Sequence, residues 1–166
     1  MSPRQLSFLR FFEPAEFLSD LTRKPQASPP PAAVASGNDL DEDLLLTTWL
    51  DIRARYFPER CELDSYRVRW SYRQNSLCLA SCNIKLRRVL VATAMQVAQS
   101  RPFLEPLLYH EMCHAVVGFH RGKNGRRIMH GPEFKALEQQ HPRIRELDYW
   151  IKSGGWSQAV RIAHTV

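Results

Sequence analysis

Apolar residues in this chain recur at helical spacing in some stretches and alternate in another, which places most elements before any chemistry is considered. Leu45, Trp49, Ile52 and Tyr56 fall on one face of a helix. Asp39, Asp41, Glu42 and Asp43 crowd its first turn, where they complement the helix dipole and orphan amides, and Pro58 stops it. The helix therefore opens near Asn38 or Asp39. Over 66–73 the pattern alternates, with Tyr66, Val68, Trp70 and Tyr72 on one face and Arg67, Arg69, Ser71 and Arg73 on the other. This predicts a half-buried strand with a basic exposed face. Gln74 and Asn75 supply a turn into a second strand over 76–82, and the two strands read as a hairpin. After a turn near Asn83, a third strand over 87–93 is apolar on both faces, so a central or well-covered position is expected.

An apolar run then extends from Pro102 to Phe119. Pro106 suits only a first turn, whose amides lack partners anyway, so this helix should start near Phe103 and end between Gly118 and Gly122. Leu108, Met112, Ala115, Val116 and Phe119 make an apolar face, which predicts one buried side and one shown. Gly131, Pro132 and Glu133 start a further helix, which Phe134, Leu137 and Glu138 carry to His141 and Pro142. Ile144, Leu147, Trp150 and Ile151 mark the last one, closed by Gly154 and Gly155. The expected fold is α+β over 38–166: a small three-stranded sheet, antiparallel or mixed, packed with helices. Residues 1–24 hold a short amphipathic stretch through Leu6, Leu9, Phe12, Phe17 and Leu21, and the Pro-rich 25–37 reads as a tether.

Composition narrows the class. A chain of 166 residues with 44% apolar content has enough material for one core. No apolar run is long enough to span a bilayer, and Glu13, Pro14, Glu16 and Asp20 interrupt the N-terminus where a signal peptide needs an unbroken apolar core. A cytoplasmic monomer without membrane contact is expected. Cys61, Cys78, Cys82 and Cys113 contain no C-x-x-C pair, so buried free thiols are expected rather than a zinc ribbon or disulfides. The net charge of +6 is concentrated: Arg121, Lys123, Arg126 and Arg127 lie between His120 and His130 with no acid among them. That segment is either a solvated loop or a cationic lip contacting DNA together with Arg67 and Arg69.

The chemistry lies in His110-Glu111-Met112-Cys113-His114, an H-E-x-x-H pattern on the apolar helix. Positions four apart on a helix stack on one face, so the two imidazoles can grip one side of a zinc ion. Glu111 beside them can act as the base that takes a proton from water. A catalytic zinc commonly needs a third protein ligand, and His120, His130 and Glu133 are all placed to supply it. His120 has the spacing of the longer metzincin pattern, although Val117 stands where that pattern needs glycine.

H-E-M-x-H-A, followed by a loop and H-G-P-E-F, resembles the SprT-like zinc metallopeptidases, and the likeness extends back through the S-L-C-L-A-S-C and R-R-V-L-V-A-T stretches, over roughly residues 40–140. The resemblance implies zinc held by His110, His114 and His130, with Glu111 as general base. It implies a zincin-like peptidase acting on a protein or peptide, with DNA-associated proteins among the expected substrates. Two other readings stay open: a non-catalytic, zinc-stabilised nucleic-acid-binding domain, and a metal-dependent hydrolase of a non-protein substrate.

Overall fold

The computed structural model describes residues 39–71, 77–122 and 124–165. The expectations for 1–37, for Tyr72 and Arg73, for the turn at Gln74 and Asn75, and for Lys123 lie outside these residues. The sheet is built on its third strand. β1 (Arg67–Trp70), β2 (Ala80–Asn83) and β3 (Arg88–Val91) assemble in the order β1-β3-β2. β3 pairs in parallel with β1, Val68 opposite Val89, and antiparallel with β2, Cys82 opposite Val89. Its central place follows from its apolar character, with Val89 and Val91 buried.

Among the described residues the expected hairpin between the first two strands does not form. Alternation fixes which face of β1 is buried but not which neighbour it pairs with, and Tyr66, Val68 and Trp70 reach the core equally well beside β3. The hairpin lies one strand later, between β2 and β3, where the Asn83 side-chain carbonyl accepts the Leu86 amide at 3.0 Å and Arg87 takes φ 46°. A basic outer face on β1 is observed, with Arg67 and Arg69 exposed.

α1 (Asp39–Tyr56) packs on β1 and α2 (Leu104–Val117) on β2, while α3 (Pro132–Glu138) and α4 (Ile144–Lys152) pack on α2 and α5 (Gly155–Ala163) packs on α4. α1 buries Leu45, Trp49 and Ile52, and the Trp49 indole donates to Leu63 O at 2.9 Å, tying down the 3-10 turn Cys61–Ser65. α5 was not anticipated. Gly154, at φ 88°, ends one helix and begins another, so the glycine pair is a corner rather than a stop. The basic stretch after α2 also has more order than a loop: β4 (His120–Arg121) and β5 (Arg127–Ile128) pair antiparallel across a turn containing Gly125 at φ 74°.

α2 departs from expectation in a way that matters for the site. Its pattern predicts one buried face, yet Leu104 and every residue from Pro106 to His114 are buried. Its outline is apolar nearly all round through Leu107, Leu108, Tyr109, Met112 and Cys113, and α1, β2, α3 and α4 all pack on it. The helix is the hydrophobic axis of the domain. Phe119, assigned to its apolar face, lies beyond the helix end and is exposed.

Candidate metal centre

Because α2 is central, its histidines face an internal site rather than open solvent. His110 and Glu111 are each 4% exposed and His114 is 7% exposed. α2 is entered through a 3-10 turn at Arg101–Phe103, and Pro106 sits in its first turn, where no amide bond is lost. Gly118, at φ 72°, ends it, with its amide donating to His114 O at 2.9 Å. The chain then runs out through the β4–β5 hairpin and returns to deliver His130 immediately before α3. The donor atoms of His110, His114 and His130 all lie within 4.8 Å of one another.

This set fits a metal. Nε2 of His130 is 3.1 Å from Nε2 of His114. Two nitrogens on a tetrahedral zinc at Zn–N near 2.0–2.1 Å stand about 3.3 Å apart, so this pair is already close to ligand spacing. Burial, with His110 and His130 as positive neighbours, pushes His114 down to about 2, leaving it neutral as a ligand must be. Burial also pushes the Glu111 carboxyl up to about 7, while His110 works the other way. The two remaining ligand candidates pair with each other: His120 Nε2 is 3.2 Å from Glu133 Oε2, both exposed, and neither belongs to the cluster.

Two residues of the site carry no sequence signal beyond helix formation and, for one, membership of the motif. Phe134, fully buried, packs on all three imidazoles, with ring centroids 5.1 Å from His110, 4.5 Å from His114 and 4.7 Å from His130. It is the F of H-G-P-E-F, so the motif contained it. Glu138 lies one turn further along α3 and places Oε1 2.5 Å from His110 Nδ1. For His110, burial alone would depress the pKa, but that hydrogen bond and the charges of Glu111 and Glu138 outweigh it and hold the value above normal. Beyond Glu138, burial raises the Asp148 carboxyl, with Lys152 opposing. On the β2 side, burial and then the charge of Glu111 raise the thiols of Cys78, to about 11, and Cys82. Both thiols are unoxidised and stay protonated near neutral pH.

The expected basic contacts divide. Arg126 and Arg127 are exposed on the hairpin, and Arg127 lies over the Phe119 ring, 4.2 Å from its centroid. Arg121 pairs with Arg127 in the strand register. Arg67 and Arg69 are exposed on β1, an element of the other sheet.

A mixed α+β domain with an H-E-x-x-H helix along its axis and a three-histidine cluster at that helix is a zincin-like arrangement. The SprT-like family model matches residues 47–149, more than half of the chain, and the chain belongs to the SprT-like family. No curated protein and no solved structure matches it. Among the described residues no helix is long and apolar enough to cross a membrane.

Proposed function

We propose that the chain is a zinc-dependent peptidase, with His110, His114 and His130 as the metal ligands and Glu111 as the general base. The observation that carries this is the convergence of three histidine donors beside a buried glutamate that the cluster does not use. Bound there, zinc supplies Lewis acidity, making water acidic and a carbonyl electrophilic at neutral pH. Glu111 accepts the proton from the attacking water on its carboxylate and delivers it to the leaving amine as the peptide bond breaks. A carboxyl displaced by burial toward neutrality is suited to carry a proton in both directions. Among the described residues the cluster holds three histidines and no cysteine, a set with a coordination position open, which favours catalysis over a closed structural site.

Glu111→Gln tests this reading. The variant should bind one zinc per chain and keep its fold while casein cleavage falls by about 10²–10⁴, the usual contribution of a positioned base. Cleavage at the wild-type rate would overturn it. A wild-type protein that binds zinc but cleaves no protein would favour the non-catalytic reading or a non-protein substrate.

We further propose DNA as a partner of the β4–β5 hairpin, through Arg121, Lys123, Arg126 and Arg127, with Arg67 and Arg69 contributing from β1. Support comes from the exposed arginines at 126 and 127 and from the hairpin's place between His114 and His130. Reversing all four hairpin charges to glutamate should weaken binding to a short DNA strand and flatten its dependence on salt. Unchanged affinity at every salt concentration would reduce the hairpin to a connector.

A further inference from the structure

Glu138 stands in an unfavourable place for a carboxylate. It is the last residue of α3, where the helix carbonyls already concentrate negative charge, and its side chain is 12% exposed. A buried carboxylate is costly unless paired, and the pairing present is Oε1 to His110 Nδ1 at 2.5 Å. The approach is also braced. Tyr109, next to His110 on α2, donates its hydroxyl to Leu137 O at 2.8 Å, next to Glu138 on α3, so the same two turns are tied twice. Phe134, one helical turn before Glu138, rests on the ring of His110.

The bond assigns roles to the two ring nitrogens. With Nδ1–H donated to Glu138, the lone pair of Nε2 remains for the histidine cluster, and the ring cannot rotate without breaking a charge-assisted bond. His114 lacks such a brace: its Nδ1 is buried without a hydrogen-bond partner among the described residues, and its ring is held by packing on Phe134. We propose that Glu138 is the positioning residue of the metal centre, fixing the tautomer and orientation of His110 so that Nε2 is presented as a ligand. The idea rests on the three-histidine metal site proposed above. In that role α3 supplies both the aromatic floor of the site and the carboxylate behind it, while the segment just before α3 supplies His130. One short helix therefore controls how all three imidazoles are held.

Zinc affinity tests this directly, measured by competition with a chromophoric chelator on the full chain. Glu138→Ala should weaken zinc 10–100-fold, the usual effect of removing the carboxylate behind a histidine ligand. Glu138→Gln, nearly isosteric, should fall between Ala and wild type because it keeps an acceptor without the charge. A purely structural role would lower the melting temperature of the zinc-free protein without touching the tautomer. The second measurement is therefore the imidazole nitrogen and proton NMR spectrum of the zinc-free protein. Wild type should show a strongly hydrogen-bonded Nδ1 proton on His110 that is lost in Glu138→Ala and retained, less shifted, in Glu138→Gln. Should Glu138→Ala fail to fold, Glu138→Gln with the same two readings decides. Wild-type zinc affinity in whichever variant folds, or an unchanged His110 spectrum, overturns the assignment. If the wild-type protein itself binds no zinc, the parent reading falls instead, which keeps the two failures distinct.

Discussion

At the scale of single residues, the site turns on which of three candidates completes the donor set. His120 and Glu133 satisfy each other at 3.2 Å on the surface, whereas His130 approaches His114 to 3.1 Å inside. His130→Ala should therefore lose zinc by orders of magnitude, and His120→Ala should bind it as wild type does, both read by metal content after dialysis against a weak chelator. The reverse result would move the third ligand to the rim. His110 and His114 could be named from the motif, because their chemistry is carried by residue type and spacing, and His130 from the family resemblance, since spacing alone left His120 and Glu133 beside it. Glu138 could not, for a physical reason: its partner lies 28 residues away, and the contact exists only once α3 has docked on α2. Phe134 is legible as a helix former and as the last residue of H-G-P-E-F, but nothing in its spacing says that three imidazoles rest on it.

At the scale of elements, what could be read depended on whether the signal was local. α1 to α4 follow from periodic apolar residues with prolines, acids and glycines at their ends, and β1 follows from alternation. Strand order did not follow, because the parallel pairing of β1 with β3 leaves no mark on either strand alone. α5 was hidden by its own glycine corner, and β4 and β5 by their length of two residues each. The end of α2 gives an element-scale prediction. Gly118 holds φ 72° and ψ −142°, a conformation that disfavours any side chain, and a Cβ there would meet nothing within 4 Å. Gly118→Ala should therefore cost of order 1–3 kcal/mol through backbone conformation alone. Urea unfolding should show a lower midpoint with an unchanged slope. An unchanged midpoint would mean that the chain leaves α2 by another route.

At the scale of the whole molecule, the region behind the site is knit around a third buried histidine, one that the proposed chemistry does not use. His141, 2% exposed, lies tilted against both Tyr56 of α1 and Tyr109 of α2, with ring centroids 5.5 Å and 4.9 Å away. From the turn between α3 and α4, its Nδ1 accepts the Arg143 amide at 3.2 Å, so in the neutral ring the proton sits on Nε2. Burial lowers its pKa below the ordinary value, Arg143 and Arg55 act in the same direction, and Glu105, 3.8 Å from Nε2, opposes them. The consequence for stability follows from linkage. The unfolded chain takes up a proton near pH 6.5 while the folded chain resists it, so between the two pKa values the unfolded state holds more protons. His141 thus contributes stability that is complete above about pH 6.5 and is lost as the pH falls from there toward its folded value. His114, lowered for the same reason, adds to the slope in the zinc-free protein, so the test is a difference between variants. His141→Asn keeps an acceptor for the Arg143 amide but cannot charge, and it loses the ring contacts with both tyrosines. It should be less stable than wild type at pH 7.5, and that gap should narrow at pH 5.5, measured by urea unfolding of the zinc-free proteins in one buffer series. A gap that stays constant across this range would show that His141 reaches its proton without opening the fold, and that α1, α2 and the α3–α4 turn are held together by packing alone.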